Sequence, residues 1–98
     1  MSGIRFEWDE RKNTANRRKH GVTFEEAETV FLDEQALLMG DPEHSNGEDR
    51  FLLLGASSRP RLLVVCHTYR HKDEVIRIIS ARTANRRERN QYRDRWKP

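Results

Sequence analysis

The chain has 98 residues, of which 36% are charged and 35% hydrophobic, enough for one domain over residues 1–98 with a modest core and too few for two. A single cysteine, Cys66, excludes an internal disulfide framework and fits a reducing cytosol. No apolar stretch approaches the roughly 20 residues of a membrane span, and the N-terminus lacks a signal-peptide pattern.

Residues 4–8 alternate Ile4, Phe6 and Trp8 against Arg5 and Glu7, which predicts a short strand. Asp9 caps a helix expected over residues 10–20. Its acidic start and its Arg17, Arg18 and Lys19 end both suit the helix dipole. Apart from Ala15 it is almost without apolar residues, so it belongs on the surface or against a partner. Gly21 is a natural left-handed stop. Thr23 and Glu26 then read as a capping box, with Val22 and Ala27 as its hydrophobic staple. Phe24, Ala27, Val30 and Phe31 recur at helical spacing, predicting a second helix that packs on a sheet and shows an acidic face of Glu25, Glu26 and Glu28.

Residues 35–40 read as a strand. Residues 41–49, with Pro42, Asn46 and Gly47 among acidic residues, read as a loop. Residues 50–56 form a strand, and residues 57–60 a tight turn. Residues 61–69 contain the unbroken run Leu62, Leu63, Val64, Val65 and Cys66, which predicts a strand buried on both faces at the sheet centre. A turn at His71, Lys72 and Asp73 leads into a last strand over residues 74–81. Thr83 can cap a final helix over residues 84–96, on which Ala84, Glu88, Tyr92 and Trp96 share a stripe. Short connections between consecutive strands favour antiparallel neighbours. The expected fold is therefore α+β: a small antiparallel sheet, two N-terminal helices after a short first strand, and one C-terminal helix.

The net charge of +3 hides an asymmetry. Residues 21–55 carry nine acidic residues and one basic residue, Arg50, while residues 82–98 carry seven basic and two acidic. Such a chain either offers one surface to a polyanion and another to a basic partner, or neutralises itself across the fold.

Arg77 is the anomaly of the last strand, mid-strand on the face of Val75 and Ile79. An arginine there is costly unless it meets an anion. Either it pairs with a carboxylate such as Glu48, or it faces an open sheet surface and binds phosphate. Arg70 and Arg82 lie at strand ends, where sites collect. His20 can titrate near neutral pH or merely cap helix carbonyls beside Lys19. His67 reads as a packed core residue, and His44 and His71 as loop residues. Tyr92 can stack on a base or pack on the sheet. Neither metal-ligand spacing nor a glycine-rich phosphate loop is present, so no metal and no nucleotide cofactor is expected.

The segments Phe6-Glu7-Trp8-Asp9 with Asn16, Lys19-His20-Gly21-Val22, Phe24-Glu25-Glu26-Ala27, and Phe31 with Asp33 continue into Glu48-Asp49-Arg50, Gly55 and Thr68-Tyr69-Arg70. Arg77 through Arg82 then leads to Glu88 and Tyr92. In this order, nearly from end to end, the chain resembles BrnT-type toxins of bacterial type II toxin–antitoxin modules. The resemblance implies a RelE-like fold and an mRNA-degrading endoribonuclease that blocks translation. It also implies a cognate BrnA-type antitoxin, which carries the DNA-binding module through which the complex reaches its operator. Metal-independent cleavage by 2′-OH attack needs a base, an acid and cations on the phosphorane. The expected catalytic set is Arg70, Arg77 and Arg82, with Lys19 and His20 for charge and proton transfer. Lys12, Arg86, Arg87 and Tyr92 are expected to contact RNA, with Glu48 and Arg50 in support. The alternative is a non-catalytic nucleic-acid-binding or interaction subunit of a repressor complex, using the same basic surface.

Overall fold

The computed structural model describes residues 3–44 and 47–95, with the backbone alone at His44. β1 (Arg5–Glu7) leads to α1 (Glu10–His20) and α2 (Phe24–Thr29), which tightens into a 3₁₀ turn at Val30–Leu32. β2 (Leu37–Gly40), a 3₁₀ turn at Pro42–His44, β3 (Phe51–Ala56), β4 (Leu62–Arg70) and β5 (Val75–Thr83) follow, and α3 (Arg86–Asp94) closes the described chain. The five strands form one sheet in the order β1-β5-β4-β3-β2. β4 is central, as its apolar run predicts, and every residue from Leu63 to Thr68 is buried.

The sheet is mixed, not wholly antiparallel. β2 to β5 pair antiparallel, but β1 runs parallel to β5, with Phe6 opposite Ile76 and Glu7 opposite Arg77. The short-connection rule governs sequence neighbours. β1 meets a strand far along the chain, so that rule does not reach it.

The main core lies between the sheet and α2. It contains Val22, Phe24, Ala27 and Val30 from the helical side and Leu53, Leu63, Val65, Ile78 and Ala81 from the strands. A smaller cluster of Leu54, Val64 and Ala84 lies beneath α3, with Tyr92 packed against it. Gly55 sits where a β-carbon would come within 2.9 Å of the Ala36 side chain and 3.0 Å of Asp33, which is why this strand position has none.

Asp9 caps α1 through the amides of Arg11 and Lys12, and Gly21 ends it with φ 69°. The helix buries only Asn13 and Asn16. β1 covers no more than the first part of the outer edge of β5, and Asn16 occupies the edge beyond it. Its amide donates to the Ala81 carbonyl at 2.7 Å and to the Val22 carbonyl at 2.8 Å. Its oxygen accepts from the Ala81 amide at 3.0 Å. A side chain thus imitates the missing strand.

Two caps differ from the sequence reading. Thr23 accepts from the Glu26 amide, but the Glu26 carboxylate does not reach back. It is buried, bound by Arg61 Nε and Nη2 at 2.8 and 2.7 Å and by the Ser57 hydroxyl at 2.7 Å. Glu26 therefore leaves the expected acidic face. At the other end, β5 runs on to Thr83, and Asn85 rather than Thr83 caps α3, in a complete capping box with Glu88. Ala84 precedes the helix, while Trp96 and Lys97 lie outside the described residues. No helix among the described residues is long and apolar enough to cross a membrane.

Candidate active site

Residues directly opposite in neighbouring strands share a face. The pairs Glu7 with Arg77, Val75 with Arg70, Arg77 with Thr68, Ser80 with Cys66 and Arg82 with Val64 therefore lie on one side of the sheet. The pairs Ile78 with His67 and Ala81 with Val65 lie on the other, where α2 packs. The first side is left open by α1 and α2, and α3 crosses only its Leu54 and Val64 end.

Strict alternation would separate Arg77 from Arg82. A β-bulge prevents this: Cys66 opposes Ser80 while its neighbour His67 opposes Ile78, so Ile79 has no residue opposite it. The extra residue resets the alternation, and both arginines emerge on the open face.

Along this face the charges interlock. Arg77 Nη1 donates to Glu7 Oε2 at 3.0 Å. Arg70 Nε lies 3.9 Å from the same oxygen, and its Nη2 lies 3.4 Å from Glu48. The sequence offered Glu48 as the partner of Arg77; the structure gives Arg77 to Glu7 and Arg70 to Glu48. Nearer α3, Arg82 grips Glu88 with both terminal nitrogens, at 2.7 and 2.8 Å. The guanidinium holds the Glu88 carboxyl below its ordinary range, aided by the Asn85 amide. A shallow depression beside Arg82 is lined by Asp41, Arg50, Leu52, Cys66, Ile79 and Ser80. Burial pushes the Cys66 thiol up.

The turn that sets Arg70 beside β5 is strained. His71, Lys72 and Asp73 have φ of 51°, 56° and 68°, all in the left-handed region. Thr68 ties the Glu48 loop to the same end by donating to the Asp49 carbonyl at 2.8 Å.

Other expected site residues come from the helices rather than the strands. Lys19 is exposed and His20 half-buried at the end of α1. Lys12 is exposed on α1, and Arg86 and Arg87 on α3. Tyr92 packs on the smaller cluster and donates to Asp33 at 2.8 Å. Burial and that carboxylate push its phenol up to about 12. Asp33, which the sequence left without a role, also accepts the Gln35 and Ala56 amides. His67 is fully buried against Phe31 and Phe51, and burial pushes its imidazole below the ordinary range.

A family model described as "Ribonuclease toxin, BrnT, of type II toxin-antitoxin system" matches residues 8–88. The fold is similar to the crystal structure of the Brucella abortus ribonuclease toxin BrnT, with a TM-score of 0.64 and 24% identity over 85% of this chain and 99% of that one. A search of curated proteins finds no match.

Proposed function

The chain belongs to the BrnT family of ribonuclease toxins of type II toxin–antitoxin systems, and on that premise we propose that it cleaves RNA on the arginine face of its sheet. The observation that carries this reading is the bulge at Ile79. It brings Arg82 onto the face of Arg77 and Arg70, where β1, β4 and β5 contribute side chains to one row.

A phosphodiester lying on this row meets guanidinium groups suited to the charge that accumulates on a phosphorane. Arg77 keeps Nε and Nη2 free of protein partners among the described residues, since Glu7 takes only Nη1. Attack by the ribose 2′-OH needs no metal, and Arg77, Arg70 and Arg82 supply the positive charge. The overall architecture is RelE-like, and loss of mRNA is the route to inhibited translation. Lys12, Arg86 and Arg87 would follow the RNA backbone away from the row. A BrnA-type antitoxin would neutralise the toxin by covering this face, and the complex would reach operator DNA through the antitoxin alone.

The test is cleavage of a single-stranded RNA by the purified chain in the presence of EDTA, with and without the product of the neighbouring gene. Products ending in 2′,3′-cyclic phosphate are expected, together with inhibition by that partner. Salt-dependent RNA binding without product identifies a non-catalytic nucleic-acid-binding subunit instead.

A further inference from the structure

The arginine row stabilises charge but cannot take a proton, because guanidinium stays protonated. Lys19 and His20, expected from sequence for charge and proton transfer, come from the end of α1 rather than from the strands that carry the row. Of the strand residues that the pairing places on the open face, none is a histidine, and Glu7 is the one carboxylate among those described. Cys66 is buried and its thiol is held protonated.

We propose that Glu7 is the general base of this ribonuclease, held at the 2′-oxygen by Arg77 and Arg70. This rests on the cleavage reading above. Glu7 is well placed for the role. Its side chain is 37% exposed, open enough to meet a ribose, while Arg77 fixes one oxygen at 3.0 Å. The other charged groups facing it are Arg70 from the end of β4, with Glu48 beyond that arginine. Arg77 thus links base and phosphate: one terminal nitrogen holds the carboxylate, and the rest of the fork is available to the phosphate whose neighbouring hydroxyl the carboxylate must reach. Such fixed geometry is what makes an intramolecular proton transfer effective.

In the step, the 2′-oxygen forms a bond to phosphorus as the bond to the 5′-oxygen breaks. The 2′-proton passes to Glu7. The leaving 5′-oxygen takes a proton from water, and the resulting hydroxide recovers the proton from Glu7. The products are a 2′,3′-cyclic phosphate and a 5′-hydroxyl, and the carboxylate is regenerated.

The experiment is steady-state cleavage of a short RNA between pH 4 and pH 9 by the wild-type chain, Glu7→Gln and Glu7→Asp. A base predicts that Glu7→Gln lowers kcat by about 10²–10⁴-fold and abolishes the acidic limb of the pH–rate profile. KM should hold or fall, because two arginines lose their carboxylate. Glu7→Asp should retain the acidic limb at reduced kcat. A carboxylate that only neutralises arginines shares the change in KM but predicts near-wild-type kcat and an unchanged profile for Glu7→Gln, which overturns the proposal. Loss of the limb in a folded Glu7→Asp overturns it equally. A wild-type chain that leaves RNA intact refutes the cleavage reading itself, an outcome separate from failure of Glu7 alone.

Discussion

Arg77 and Arg82 stand five residues apart on one strand yet emerge on the same face, because Ile79 between them has no partner opposite. If both meet one phosphate, each is worth a charge-stabilising contact. Arg77→Ala is expected to lower kcat by roughly 10²–10³-fold and to relieve growth arrest when the chain is induced alone. Thermal denaturation of the variant should show a folded protein. Wild-type toxicity in a folded Arg77→Ala protein would remove Arg77 from the reaction.

Glu88 serves both the α3 cap and Arg82, and two variants separate these uses. Asn85→Ala breaks the cap and should cost about 1 kcal/mol in urea denaturation. Glu88→Gln keeps an oxygen for the Asn85 amide but weakens the hold on Arg82. It should tighten RNA binding, read by fluorescence anisotropy.

Asn16→Ala leaves the Ala81 amide and carbonyl without their side-chain partner at a buried edge. The expected cost is about 2–4 kcal/mol. It appears as a lower urea midpoint at unchanged slope.

The pH dependence of stability has two ends. Arg61 holds Glu26 below its ordinary range, and Arg82 does the same for Glu88. A depressed folded-state value means that the unfolded chain binds protons more readily. These groups therefore contribute stability above the ordinary carboxylate range and lose it as pH falls through their lowered values. Glu26→Gln should flatten the acid side of a stability–pH curve. Tyr92 has the reverse sign. Its phenol is pushed up to about 12, so its contribution is intact below the ordinary tyrosine value of about 10 and disappears as pH rises toward 12. Alkaline titration of tyrosine absorbance should lose its latest component in Tyr92→Phe.

Lys72 is held at φ 56° between two further left-handed residues. Lys72→Gly should relieve that strain and raise stability by about 0.5–1 kcal/mol, even though glycine loosens the unfolded chain. Thermal denaturation measures it.

The sequence is most informative where local chemistry decides. Asp9 and Gly21 mark both ends of α1, and the apolar run from Leu62 to Cys66 marks the central strand. Arg77 lies mid-strand as expected, while Arg70 and Arg82, expected just past strands over residues 61–69 and 74–81, are the last residue of β4 and an internal residue of β5. What escapes depends on contacts between distant residues. Glu26 looks like a capping-box residue until Arg61, far along the chain, claims it. The bulge is set by the register between two strands, which neither strand's sequence displays. Asn16 and Asp33 are ordinary polar residues whose partners are backbone groups on other elements. The Asn85 cap was legible, since Asn85 and Glu88 have the spacing of a capping box, but Thr83 sat closer to the end of the expected strand.

The parallel pairing of β1 with β5 has a consequence for synthesis. Glu7 and Arg77 are separated by 70 residues. A ribosome delivers β1 first, and the first strand must wait for β5 before it has a neighbour in the sheet. Until then Glu7 faces no arginine of the row, and α1 has no Ala81 edge to grip. The arginine face is assembled only after β5 has been made, so a nascent chain that ends before β5 does not yet carry the surface proposed to meet RNA.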